Sequence, residues 1–289
     1  MFHSLRLALP FAFLALPVQV LAWNDFGHMV VADIASRVIT PATNDKIQAL
    51  LKIGGTEKTR EMMTAACWAD DTRTRENGPW HYINYHFRSD GKPTNLGPAE
   101  ENVVWAIRRF SSTLRNANAP EAERADALRY LLHYVGDIHN PLHCVARDTE
   151  AFPNGDRGGN DFKIQPYPGL RPEPRNLHFL WDMGAGEFPE IERPLTKAGR
   201  EAIGEAAELA LKLNPERQLA SLLLITDPDA WAKEGLELAK AKVYKLDENA
   251  VPPKAYVETV RKEALRRVTL AGYRLGRLLN RLLDPGGQS

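Results

Sequence analysis

Apolar residues recur at three- and four-residue spacing through nearly every long segment of the chain: 26–39, 43–52, 58–72, 98–116, 121–139, 194–213, 227–245 and 253–283. That period lines one face of a helix. The flanking residues agree, with Thr43 ahead of "NDKIQALL", Pro98 opening "PAEENVVWAIRRF" and "DPDAW" starting at Asp227. Alternating strand patterns are scarce, so the pattern predicts a mainly α, bundle-like single domain. The chief departure is 146–176, where "FPNGDRGGNDFKIQPYPGLRPEPRN" concentrates Gly and Pro. A loop of that length inside a compact domain is more often functional than idle.

The first 22 residues read differently. Arg6, an apolar run from Leu7 to Leu16 and the small residue Ala22 after Val20-Leu21 form the three-part pattern of a secretory signal peptide, with Trp23 as the first residue left after cleavage. The apolar stretch is short for a bilayer span and is interrupted by Pro10 and Pro17, which disfavours a membrane anchor. Residues 23–289 are then expected to form one helical domain, secreted or periplasmic, without stable membrane association. Their formal charge is close to neutral, 36 Lys+Arg once Arg6 is removed against 37 Asp+Glu, so no bulk positive field draws nucleic acid or anionic lipid. A polyanionic substrate must be held locally. Two outcomes are open for the only cysteines, Cys67 and Cys144: a disulfide, which an oxidising compartment permits, or two buried thiols. No Asn-X-Ser/Thr sequon occurs, which favours a bacterial setting.

Candidate chemistry lies in the histidines. His133 and His178 each precede an aspartate by four positions, Asp137 and Asp182. On a helix such residues lie about 40° apart around the axis, so imidazole and carboxylate share a face and can clamp a divalent metal. One such pair is also an ordinary surface ion pair. The stretch "LLHYVGDIHNPLH", however, sets His133 and Asp137 in a strongly apolar helix, where unpartnered polar groups are costly to bury, and Pro141 re-aims the chain just before His143. Upstream, Asp70 and His81 stand beside Trp68 and Trp80. Nitrogen and carboxylate ligands suit zinc, with iron or manganese open by residue type alone. His86 and His139 take no assigned role and are expected to be structural, since a histidine just outside a ligand motif is more often a hydrogen-bonding or surface residue than another ligand.

Trp23, His28, "WAD" at 68–70, "WHYIN" at 80–84, "HYVGDIHNPLH" at 133–143, "GGN" at 158–160 and "NLHFLWD" at 176–182 together resemble the zinc-dependent nucleases of the S1/P1 type. These motifs are spread from Trp23 to Asp182, a span of 160 of the 267 residues from Trp23 onward. The resemblance implies a mainly helical phospholipase C/nuclease fold, three zinc ions, and cleavage of single-stranded DNA and RNA to 5′-phosphorylated products, with 3′-nucleotidase activity. It assigns Asp70, His81, His133 and Asp137 to one zinc and His143, His178 and Asp182 to a second. A third goes to His28, Asp137 and Trp23, the last through its α-amino nitrogen and carbonyl oxygen, so signal cleavage itself would create a ligand. Asp70 would orient the nucleophile and Arg73 would contact the phosphate. Tyr82 would be the aromatic platform for a base, with Asn84, where fungal relatives carry aspartate, at the base edge. Asn160 and Asp161 are further candidates for substrate contacts. A monomer is expected, with nucleotides as further ligands.

Clustered metals suit phosphodiester hydrolysis because they activate water near neutral pH and neutralise the phosphate and leaving oxygens. Two other readings compete. A zinc-dependent phospholipase C acting on phosphatidylcholine shares the terminal tryptophan and the "PLH" motif, but that branch usually closes its ligand set with glutamate where this chain has Asp182. A non-catalytic zinc-binding protein would close every coordination position with protein ligands, whereas the second set is one ligand short.

Overall fold

The computed structural model describes residues 23–286, so the signal segment expected over 1–22 lies outside the described residues. Eleven α-helices are described there: α1 (Asp25–Ser36), α2 (Pro41–Lys52), α3 (Met62–Ala65), α4 (Trp68–Asp71), α5 (Val103–Arg115), α6 (Glu121–Asp137), α7 (Leu177–Asp182), α8 (Lys197–Leu213), α9 (Glu216–Leu223), α10 (Pro228–Leu238) and α11 (Lys254–Leu283). The only strands among the described residues are β1 (Tyr85–Phe87) and β2 (Val145–Arg147), paired in parallel. The mainly helical, single-domain expectation holds.

Helix starts follow capping chemistry more closely than the apolar pattern. α2 begins at Pro41, and the Thr43 amide donates to the hydroxyl of Thr40, three residues earlier, at 3.1 Å, so Thr40 rather than Thr43 is the cap. The Asn102 side chain accepts from Val104 N and Trp105 N and starts α5 there, leaving 98–102 outside the helix. Asp227 caps α10 as its position predicts. The segment 58–72 is two short helices rather than one, and α9, whose Leu219 and Leu223 bury against Leu270 of α11, is an addition to the expected set.

α6 runs through the middle of the molecule, against α1, α2, α3, α4, α5 and α11. Its last turns are buried on all sides, which is why "LLHYVGD" reads as almost uniformly apolar. α1 lies along α11 at close range, because a side chain at Gly272 would come within 2.5 Å of Ile34 and one at Gly276 within 2.7 Å of Val38. α10 and α11 brace the stretch that follows α6. Arg267 donates from Nε to the His139 carbonyl at 2.9 Å, Arg274 Nη1 lies 3.0 Å from His139 Nε2, and Glu234 receives both arginines at 2.6–3.0 Å. His139 is thus structural, as expected, with its Nδ1 donating to Val135 O at 2.7 Å.

Burial opposes ionisation of Glu234, but the hydrogen bond from Arg274 and the charges of both arginines hold its carboxyl below the usual range. Its folded pKa is lowered, so its stabilising contribution is present above the unfolded value and is lost as pH falls through the lowered one. Glu234→Gln leaves two buried guanidinium groups without their counter-charge. It is expected to cost about 3–5 kcal/mol, measured by urea denaturation at neutral pH, with the difference from wild type shrinking in acid. A loss under about 1 kcal/mol would mean that the brace does not hold the fold.

The disulfide outcome is not met. Cys67 and Cys144 are separate buried thiols, Cys67 Sγ facing Asp25 O at 3.6 Å and Cys144 Sγ facing Ile138 O at 3.2 Å. Burial pushes both thiols up, Cys144 to about 12. Among the described residues, no helix is long and apolar enough to cross a membrane.

Candidate metal centre

The end of α6 is the axis of the site. His133 and Asp137 project from one face of its last turn, as their spacing predicts, and both are fully buried. Asp137 Oδ2 lies 3.0 Å from His81 Nδ1 and 3.2 Å from His133 Nε2, while Oδ1 lies 3.3 Å from His28 Nε2. One carboxylate therefore spans the imidazoles of α1, α6 and the 3-10 turn Gly78–His81. Asp70, on α4, sets Oδ1 3.6 Å from both His81 Nδ1 and His133 Nε2. The rings of His28 and His133 stack with centroids 3.9 Å apart. Gly136 permits this, since a side chain there would meet His28 Nδ1 at 2.8 Å.

A second group forms where Pro141 turns the chain into the 3-10 turn Pro141–His143. His143 Nε2 lies 3.2 Å from His178 Nε2, which lies 3.4 Å from Asp182 Oδ2 on α7. Asn176 starts that helix by accepting from Phe179 N. Outer ring nitrogens are fixed by carbonyls: His133 Nδ1 by Ala66 O at 2.7 Å, His143 Nδ1 by His81 O at 2.8 Å and His178 Nδ1 by Gly158 O at 2.7 Å. Each ring is thereby held with its inner nitrogen turned toward the other ligand-type groups, the arrangement usual around metals. Trp23 is fully buried beside these groups, its indole donating to Gly136 O at 3.0 Å, and the next residue's amide donates to Asp182 O at 3.2 Å.

The donor sets fit metal ions. Three sets have ligand atoms within 4.8 Å of one another: His28, His133 and Asp137; Asp70, His81 and His133; and His143, His178 and Asp182. Five of the eleven buried side-chain polar atoms without a hydrogen bond among the described residues belong to the first two sets, namely both ring nitrogens of His28, His81 Nε2, Asp70 Oδ1 and Asp137 Oδ1. Buried polar atoms are rarely left unsatisfied without reason, and a missing cation is one such reason. Protonation points the same way. Burial lowers His28, takes His81 to about 4 and takes His143 to about 3, which keeps these imidazoles neutral as ligands must be. His133 differs: burial opposes its charge, yet Asp137 and Asp70 hold it at about 9. Burial likewise opposes ionisation of Asp137, but His133 holds it well below the carboxylate range. A cation bound there would take over the role of that proton. Burial drives Asp182 well above the usual range, against the hydrogen bond from the Asn140 amide, 2.9 Å from Oδ1, which favours its charge.

A cavity of about 220 Å³ opens on the second group, lined by Arg73, Tyr82, Asn84, Leu142, His143, Arg157, Gly158 and His178. The fold thus brings Arg73, Tyr82 and Asn84 to the histidines, with Arg73 Nη1 3.9 Å from Asp70 Oδ1. The short sheet is what couples them: Ile83 N donates to His143 O at 2.8 Å just ahead of β1. Asn160 and Asp161 stand differently. The Asn160 amide donates to Arg157 O at 2.8 Å, and Asp161 is engaged by the Arg157 side chain at 2.6 and 2.8 Å. Arg157 is a pocket residue that motif reasoning passed over; its signal was a bulky cation directly ahead of "GGN". A larger cleft of about 740 Å³ reaches Asp70 from the other side, but Asp25, Asp71, Glu190 and Glu192 with Arg193 as the only cation make its walls acidic, unsuited to an anionic strand. His86 pairs with Asp148 at 2.6 Å, away from the ligand groups, as a structural histidine.

These features define a helical protein with a buried set of metal-type ligands beside an aromatic, cationic pocket. The chain belongs to the S1/P1 nuclease family, whose profile matches residues 23–284. It is 30% identical to nuclease S1 of Aspergillus oryzae over 61% of this chain and 58% of that protein. Identity to nuclease P1 of Penicillium citrinum is 28%, over 55% of this chain and 57% of that protein. The match to endonuclease 2 of Arabidopsis thaliana is longer, 25% identical over 90% of each chain. The chain thus spans somewhat over half the length of the two fungal nucleases it matches.

Proposed function

We propose that this protein is a secreted or periplasmic zinc-dependent nuclease that hydrolyses single-stranded DNA and RNA to 5′-phosphorylated products and removes phosphate from nucleoside 3′-monophosphates. The observation that carries it is a pocket holding Arg73, Tyr82 and Asn84 that is lined by His143 and His178 of the second buried ligand group, with Arg73 reaching Asp70 of the first. His28, Asp70, His81, His133 and Asp137 would hold two zinc ions and His143, His178 and Asp182 a third. Trp23 would join through its α-amino group and carbonyl once residues 1–22 are removed. Zinc there would supply an acidified water and neutralise charge on the phosphate.

The chain's own groups supply the rest. The Arg73 guanidinium stabilises charge that builds on the phosphate oxygens during in-line attack. Asp70 accepts a hydrogen bond from the attacking water and aims it at phosphorus. Tyr82 offers its face to an unpaired base, which a duplex would keep stacked, and the Asn84 amide both donates to and accepts from the base edge. Water oxygen bonds to phosphorus, the P–O3′ bond breaks, and the proton that the water gives up ends on the departing O3′ by way of solvent. The expected result is release of 5′-phosphorylated fragments from a single-stranded oligonucleotide by the zinc-loaded protein beginning at Trp23, stopped by chelator and restored by zinc. Intact oligonucleotide in the presence of tightly bound zinc would refute the reading.

A further inference from the structure

Arg157 has an unusual backbone. Its φ is +52°, within a run where Gly155, Gly158 and Gly159 also take positive values. Glycine adopts that region freely, whereas a residue with a Cβ is strained in it. The surrounding loop imposes the conformation. Asp156, fully buried, accepts on Oδ1 from Arg147 N, Gly159 N and the Tyr244 hydroxyl at 3.0–3.1 Å, and Asn160 fastens the Arg157 carbonyl. Strain of this kind persists where the structure over-determines it, and such positions cluster at ligand clamps.

Stability does not account for the arginine. Its ion pair with Asp161 is exposed, 64% for the arginine side chain, and exposed pairs contribute little. The pair does fix the guanidinium: Nε and Nη2 are used on the carboxylate, and Nη1 has no hydrogen bond among the described residues. The fork is thereby oriented with one edge left for an anion. Arg73 and Arg157 are the two arginines lining the 220 Å³ cavity, and Arg73 is the one beside Asp70. A cavity of that size takes one nucleoside rather than a length of strand.

Resting on the proposed nuclease reading, we infer that Arg157 binds the phosphate next to the scissile one, on the 5′ side of the nucleoside seated on Tyr82. That nucleoside carries the departing O3′, so its other phosphate is the 5′ one. Arg73 serves the phosphate under attack and Arg157 its neighbour. The enzyme would then favour internal nucleotides of a strand over nucleosides with a single phosphate.

The test compares kcat/KM of the zinc-loaded protein on a dinucleotide with a 5′-phosphate, pNpN, and without one, NpN. Wild type should prefer pNpN by about tenfold, the value of one charge-assisted hydrogen bond. Arg157→Gln, which removes the charge, and Arg157→Gly, which also removes the strain and so protects folding, should each bring the ratio close to one. A wild-type ratio near one overturns the inference, as does an unchanged ratio in the variants, whether or not both rates fall together. Failure of wild type to cleave either dinucleotide would instead remove the nuclease reading on which this rests.

Discussion

Asp137→Asn is expected to lower oligonucleotide hydrolysis by on the order of 10³-fold or more and to reduce the zinc retained per chain. A fall of that order already follows loss of one preorganised electrostatic contact elsewhere, and Asp137 makes three. Its Oδ2 faces His81 and His133 and its Oδ1 faces His28, all within 3.3 Å. The amide keeps the volume but removes the charge that draws cations between these imidazoles, and an amide nitrogen cannot replace a carboxylate oxygen as ligand. Metal content by mass spectrometry and turnover on a single-stranded oligonucleotide, with far-ultraviolet dichroism as the folding control, provide the measurement. Full zinc content with activity within tenfold of wild type would show that the carboxylate does not bridge.

Gly158→Ala is expected to act on the second group as severely, through the backbone. Gly158 has φ +61°, and a Cβ there would lie 2.2 Å from Leu142 O, the carbonyl just ahead of His143. The Gly158 carbonyl also accepts from His178 Nδ1. Making room must push the loop from the Pro141–His143 turn and displace both histidines at once. Misplacement of about 1 Å costs about 10²-fold in rate, and the strain costs on the order of 1–3 kcal/mol. Gly159→Ala is the comparison: at φ +81° it carries similar backbone strain, but its nearest contacts, 3.2–3.4 Å, are side-chain atoms of Leu142 and Leu177 rather than the backbone ahead of His143. Thermal denaturation and turnover of both variants decide it; a Gly158→Ala protein as active as Gly159→Ala would mean that the loop does not hold His178.

What could be read from the sequence divides along physical lines. Helix α10 was legible because its apolar period and its Asp227 cap agree, and α11 because its apolar face runs for thirty residues, although no side chain caps its start. The break between α3 and α4 was not, because the apolar residues on either side of Ala66 and Cys67 keep helical spacing while the chain turns. β1 and β2 were illegible for want of length: three residues carry no period, and their pairing joins segments 60 positions apart. The ligand types were legible because buried His and Asp at four-residue spacing demand partners. Their grouping depended on the resemblance, since nothing local brings His28 to Asp137. Arg157 escaped because its meaning lies in a backbone angle and a shared cavity, neither of which a motif encodes.

The close packing of α1 along α11 also bears on the order in which the molecule is completed. His28 is carried by the first helix, and the longest surface holding that helix is supplied by residues 254–283, the last helix described. Chain growth from the amino end therefore delivers every ligand-type residue well before it delivers their frame. A partly made chain holds the ingredients of the centre without its geometry, so hydrolytic power would arrive as a step, when the final helix docks, rather than accumulate as the chain lengthens.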